Sequence, residues 1–529
     1  MNERTNTSIE NVDDRYDTIV IGAGMGGLSA AACAARADER VLLLEQHSIV
    51  GGCTQVFRRR GYEWDVGLHY VGDVHRPNSV LRRVFDHISQ GALQWATMPD
   101  VYNRIVIGER SYDYVAGVEP FKDQMKAYFP DEAAAIDRYI DLVFEVSRAG
   151  SRFFMTKALP PEMAAAFESE VAPPFHAFSD RTTLEVMREL TSNESLISVL
   201  TGHFGDISLT RDQSSFAIHA MLIRHYINGA SYPVGGASRI GETTCRTIVE
   251  HGGAVATKAS VEELLVHDGA IHGVRAAGRT IQASKVISAV GAVGTINLMN
   301  PEVAVATGIA EKVRNHPPAL TCTSLNIGIK AGNDELGLHP ANLWVHPTAD
   351  FEANFASFGM NDDGPLPTNF ITYPSTKDPS WNEAHPGKTT ISACSLTPWS
   401  LWAPFAHSTW RRRDPAYEAL KEKVSEQVLE EILRFAPQIE GKIEHMELST
   451  PLTLNHFLRR ETGNFMGLAV VPTRFRQDWL RAHAPVRGLY FAGQDVNGPG
   501  IGGAMLGGVM AASAATGRNL LAEVSGKKS

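Results

Sequence analysis

The 529-residue sequence predicts an α/β protein: a Rossmann-type dinucleotide-binding domain built from discontinuous segments, with an α+β substrate domain inserted into it. Three observations predict this. Near the N-terminus an apolar run is stopped by spaced glycines, and a small-residue helix and a second apolar run follow. Short β-branched segments of the same kind return near residues 254–290 and near 489. Between them lie a long helical stretch and a second strand set, more chain than one nucleotide domain needs.

Residues 1–15 are polar and acidic, without the basic start and apolar run of a signal peptide, and read as a disordered lead-in. "YDTIVIGAG" (16–24) reads as a buried strand ended by glycine. Met25 to Ala37 reads as a helix, and "RVLLLEQ" as a second strand ending on Glu45. Gly22, Gly24 and Gly27 fit G-x-G-x-x-G. The first permits a tight turn, the second a close approach of backbone to pyrophosphate, and the third helix–strand packing. The helix N-terminus adds unpaired N–H groups and a favourable dipole for phosphate. Glu45, 23 residues after Gly22, suits a carboxylate bonding a ribose and disfavours a 2′-phosphate.

The stretch 120–200 has helical periodicity, and residues 252–290 read as a strand meander with polar turns. Strands recur between 320 and 398, and an amphipathic helix spans 414–437. "GLYFAGQDV" (488–496) is a strand running into a turn, followed by a helix of glycines and alanines that suits close packing better than lipid. This assigns 16–110, 231–297 and 450–525 to the nucleotide domain, and 111–230 and 298–449 to the substrate domain.

A net charge of −10 gives no global attraction to nucleic acid. Five scattered cysteines without a CxxC argue against disulfides and zinc, and no metal site is expected; the default compartment is cytoplasmic. No Ser-His-Asp order or paired-carboxylate pattern suggests hydrolysis.

The segment after Glu45 narrows the cofactor. "EQHSIVGGCTQVFRRRGYEWDVGLHYVG" places Gly51 and Gly52 just past the acid, and suggests a longer ligand lying along the backbone. Here the sequence resembles the flavin amine-oxidase and phytoene-desaturase superfamily. "GGC" and "EWDVGLHYVG" are most similar to its retinol saturase branch, with carotenoid isomerases and desaturases close by. Blocks at 232–266, 449–468 and 489–508 also resemble the family, so the likeness spans nearly the whole chain. The resemblance implies a resident FAD. It implies that backbone at Val261 meets adenine, that Asp495 contacts the ribityl or pyrophosphate region, and that the helix after Gly502 presents N–H groups to the flavin. The chain departs from the saturase pattern at Gln55 and at "NGPG" (497–500). One glycine motif is accounted for by FAD, so a second nucleotide fold for NADPH is not evident; a transient NAD(P)H, a quinone or a protein remain open as electron donor.

The same resemblance puts His69 and Tyr70 near the isoalloxazine, where a histidine moves a proton near neutral pH or simply sits at the core edge. Cys53 is either a reactive thiol or a small buried group. Arg58, Arg59 and Arg60 either meet cofactor phosphate or form a solvated turn. Trp399, Trp402, Phe405 and Trp410, with Arg411–Arg413, mark either a membrane-interface entry or an aromatic core with a charged turn. The expected activity is hydride transfer to or from a carbon–carbon bond of a long apolar substrate: a retinoid, carotenoid or unsaturated fatty acid. Peripheral membrane contact is compatible with it. Isomerisation, an amine-oxidase-like reaction on a small amine, and a non-catalytic FAD-binding lipid carrier are the alternatives.

Overall fold

The computed structural model describes residues 6–317, 319–358 and 364–526. Five strands form one parallel sheet: β1 (Thr18–Ile21), β2 (Val41–Leu44), β3 (Ala254–Ala256), β4 (Lys285–Ser288) and β5 (Leu489–Phe491), in the order β3-β2-β1-β4-β5. β1 and β2 are buried at every position, as expected of a sheet covered on both faces. The first crossover is helix α1 (Met25–Arg36).

The chain leaves this sheet three times, after β2, β3 and β4. Residues 261–282 make an antiparallel three-stranded meander between β3 and β4. The meander expected over 252–290 is therefore shorter, because its two flanks join the parallel sheet. Residues 6–15, expected as a loose lead-in, are docked: Thr7 N donates to Val255 O (2.8 Å), Asn6 Nδ2 to Thr257 Oγ1 (2.8 Å), and Val12 is buried. Residues 1–5 lie outside the described residues.

A seven-stranded mixed sheet forms the second unit, in the order 443–449, 321–329, 389–397, 369–372, 342–346, 101–107, 110–115. Residues 101–107, read from the sequence with the nucleotide segments, pair here with 342–346 and with 110–115. A boundary at 110 cuts that hairpin in two; a strand and its hairpin partner stay in one sheet. Successive residues serve opposite faces. Ile105, Trp344 and Phe370 pack under the helices between 118 and 226. Val106, Leu343 and Ile371 pack under helix 415–435.

The C-terminal helix α2 (Gly500–Thr516) lies against α1. Ser29 Oγ donates to Met505 O at 2.9 Å, and a Cβ on Gly508 would fall 2.1 Å from Gly26 O. The small-residue stretch is thus a helix–helix contact. Among the described residues no helix is long and apolar enough to cross a membrane.

Candidate cofactor and substrate site

A cavity of ≈ 1900 Å³ opens at the carboxyl ends of β1, β2, β4 and β5 and runs to the seven-stranded sheet. This is where open α/β sheets bind ligands. Gly22, Gly24, Glu45, Gly51, Gly52, His69, Tyr70, Val261, Asp495 and Gly502 all line it. Gly27 does not. A Cβ there would sit 1.8 Å from Gly22 O, so Gly27 holds helix against strand.

The nucleotide end is built from backbone. Gly22 turns the chain with φ of +90°, a conformation glycine tolerates. Gly51 N donates to Ala23 O at 2.7 Å, and a Cβ on Gly52 would approach Gly24 Cα to 2.9 Å, so the two glycine segments lie side by side. Glu45 Oε2 accepts from Ala23 N and Oε1 from His47 N, both at 2.8 Å. Burial raises its carboxyl above the usual range despite these bonds. Ala259 N donates to Glu45 O at 2.8 Å, which brings Val261 beside Glu45.

At the other end, Asp495 is buried. Its Oδ2 accepts from Ala292 N (2.8 Å) and its Oδ1 from Leu468 N (3.0 Å). Burial opposes its charge, but the Arg474 and Arg460 guanidiniums and these two bonds outweigh it and hold the carboxyl below its ordinary range. Gly502 lies in the first turn of α2, which starts at Gly500 rather than after Gly502.

His69 and Tyr70 face the inner, apolar arm with Ile207, Ile218, Trp344 and Leu396. His69 Nε2 is 3.7 Å from Cys394 Sγ, and its ring centroid is 5.5 Å from that of Phe370. Burial, helped by Lys377, pushes the imidazole down to about 3. That favours the neutral ring and, of the two readings, the core-edge histidine over one that titrates near neutral pH. The Tyr70 ring stacks on Tyr226 (4.3 Å), and its hydroxyl donates to Asp206 Oδ2 (2.8 Å).

Sequence reasoning missed Asp206 and Lys377. Lys377 Nζ is buried, donating to His69 O (3.0 Å), Asn342 Oδ1 (2.5 Å) and Thr372 Oγ1 (2.6 Å); burial lowers it to about 7. Neither residue sits in a motif, and a lone acid or lysine outside one is a faint signal.

The remaining candidates resolve differently. Cys53 lines the cavity, and burial raises its thiol, which disfavours the reactive thiolate. Arg58 pairs with Glu63, and Arg59 with Glu447 (3.4 Å), so neither is a free phosphate partner. Trp402 is buried, with Trp399 and Phe405 against the same core. Trp410 lines the cavity with the Arg411 guanidinium 4.2 Å from its ring centre.

These residues fit a dinucleotide. Both α1 and α2 begin at the cavity without a side-chain cap on their N-terminal amides, and a carboxylate stands at each end. No group of histidine, cysteine or acidic side chains among the described residues forms a metal site.

Residues 20–88 match the NAD(P)-binding Rossmann-like domain. The chain is 31% identical to all-trans-retinol 13,14-reductase of Danio rerio, over 96% of this chain and 87% of that one. It is 25% identical to prolycopene isomerase 2 of an Oncidium hybrid cultivar, over 85% and 75%. Cyclohexylamine oxidase from Brevibacterium oxydans shares the fold, with a TM-score of 0.60 at 15% identity over 96% and 99% of the two chains. The glycine turn, the acid at the end of β2 and the near-complete alignment agree: the chain is an oxidoreductase and belongs to the all-trans-retinol 13,14-reductase family.

Proposed function

We propose that the protein holds FAD and saturates a carbon–carbon double bond of a long apolar substrate of the retinoid or carotenoid class. The observation that carries this reading is the continuity of one cavity, from the paired glycine segments and Glu45 to an apolar arm at the second sheet. At ≈ 1900 Å³ it exceeds the roughly 300–1,000 Å³ of ordinary ligand pockets. That supports a cofactor and a long substrate held together.

When bound, flavin supplies hydride chemistry at N5; the protein supplies orientation and exclusion of water. Glu45 would bond the ribose, the amides of α1 and α2 would face phosphate and flavin, and Asp495 would meet the ribityl or pyrophosphate region. Backbone at Val261 covers adenine. Tyr70 and His69 bound the substrate arm, where Phe370 and Leu396 keep water out. The two-electron donor is a transient NAD(P)H, a quinone or a protein. Met155, Met163 and Phe167, each 54% exposed, support peripheral membrane contact during loading of an apolar substrate.

Isomerisation by a reduced flavin is a second reading, favoured by the 25% identity to a prolycopene isomerase. The test is anaerobic incubation of the holoprotein, in one arm yellow and oxidised and in the other dithionite-reduced, with all-trans-retinol, a carotenoid and an unsaturated fatty acid, followed by mass spectrometry. Gain of one hydrogen pair is expected. Unchanged mass with shifted retention supports the isomerase, and loss of a pair a desaturase. No change in any lipid while flavin is bound overturns the reading, in favour of a small amine substrate or a carrier.

A further inference from the structure

One polar group in the apolar arm has no task in the reading above. Asp206, in the 3₁₀ turn Phe204–Ile207, lies on the cavity wall. Its Oδ2 accepts the Tyr70 hydroxyl bond at 2.8 Å. Among the described residues, Oδ1 makes no hydrogen bond and no cation pairs with either oxygen. The titratable groups around it are Tyr70, Tyr226 stacked on that ring, and the Cys394 thiol, which contacts neutral His69. Lys377 lies 5.9 Å from the Tyr70 ring centre but is engaged by His69 O, Asn342 and Thr372.

A carboxylate in such surroundings is expensive to ionise. Burial accordingly pushes Asp206 up to about 7, with the Tyr70 bond opposing the shift. Tyr70 is itself fixed: Asn103 Nδ2 donates to its hydroxyl at 3.4 Å, and Asn342 Nδ2 holds Asn103 Oδ1 at 2.9 Å. A carboxylic acid is thus held with one oxygen free toward the substrate arm and the other anchored.

We propose that Asp206 is the proton donor for double-bond reduction and that Tyr70 positions it. This rests on the saturase reading above. While one carbon of the double bond accepts a hydride, the Asp206 O–H bond breaks and its proton forms a C–H bond at the neighbouring carbon. The π pair is consumed in that new bond. The two electrons arrive with the hydride, from flavin reduced by an external two-electron donor. The carboxylate left behind keeps the Tyr70 hydrogen bond and regains a proton from water between turnovers.

The test compares wild type with Asp206→Asn, Asp206→Glu and Tyr70→Phe as flavin-loaded proteins. Infrared spectroscopy reads the carbonyl stretch of a protonated carboxylic acid. Because buried Asp65 is also pushed up to about 7, the Asp206 band is read as the wild-type minus Asp206→Asn difference; it is expected below about pH 7 and to persist to higher pH in Tyr70→Phe. In single turnovers of dithionite-reduced enzyme with all-trans-retinol, Asp206→Asn is expected to be slower by about 100-fold or more, with Asp206→Glu partly restoring the rate. Identical carboxylic-acid bands in wild type and Asp206→Asn, or a turnover rate within about twofold of wild type, overturn the proposal and leave the saturase reading standing. If Asp206→Asn does not hold flavin, a Tyr70→Phe band that vanishes at the wild-type pH overturns it. If reduced wild type converts no polyene, the saturase reading falls and takes the proton-donor role with it.

Discussion

Asp495 is buried and Asp206 half-buried, and the structure treats the two carboxyls in opposite ways. Asp495 has two backbone N–H donors and two guanidiniums in its field, so it is held charged. Asp206 has one hydroxyl and, among the described residues, no cation, so the loss of water around it pushes its carboxyl up to about 7. Replacing Asp495 with Asn leaves Arg474 and Arg460 without their counter-charge, and is expected to lower stability by about 1–3 kcal/mol in denaturant unfolding. The pH dependence separates the two. Asp495, lowered in the folded state, contributes stability above the ordinary carboxylate range that is lost as pH falls. Asp206 is raised, so between about 4 and about 7 the folded protein keeps a proton that the unfolded chain releases. Stability is therefore expected to fall as pH rises through that window, and the slope to flatten in Asp206→Asn; thermal unfolding across buffers reads both. Glu45 and Asp495 were legible because each stands at a fixed place after a strand or in a family block. Asp206 and Lys377 were not, because their chemistry comes from the loss of water around them, and no local spacing records that. His69 shows the same limit: its place beside the cavity was readable, its neutrality was not.

At the level of elements, the α1–α2 contact and the Gly24–Gly52 contact are close backbone approaches that shape the nucleotide end. Gly508→Leu inserts a side chain where a Cβ alone would meet Gly26 O at 2.1 Å. It is expected to destabilise by about 3 kcal/mol or more, measured by unfolding. Gly52→Val pushes on Gly24 Cα from 2.9 Å; loss of the yellow chromophore on gel filtration, with the fold retained by circular dichroism, is the expected result. The elements most legible in sequence were β1, α1 and β2, where glycine punctuation and apolar runs agree. The 252–290 region was legible as strands but not as two sheets. A short apolar strand has the same pattern in a meander as at the centre of a parallel sheet, and the partner that decides lies far away. β4 finds its partner in β1, and residues 101–107 find theirs at 342–346.

Over the whole molecule, two sheets share one cavity, and one apolar cluster joins them, with Phe491 and Met510 packed in it beside Trp344 and Phe370, so a ligand in the cavity contacts both. The shared cavity predicts that bound flavin raises the unfolding temperature of the protein as a single transition, since stabilisation follows ligand occupancy of the native state alone. Calorimetry at several flavin concentrations reads this; two transitions, only one of which moves, would contradict it. The order of strands in the parallel sheet has a consequence for synthesis. β1 and β2 leave the ribosome early, β3 and β4 follow only after residue 250, and β5 closes the sheet after residue 489. During elongation β4 is an open edge, and the seat of the cofactor lacks Asp495 and the amides of α2. A nascent chain must therefore carry an unfinished nucleotide sheet through most of its translation, exposed to the edge-to-edge pairing that unfinished sheets invite. On the proposed FAD reading, flavin capture is expected only after strand β5 and helix α2 have been made.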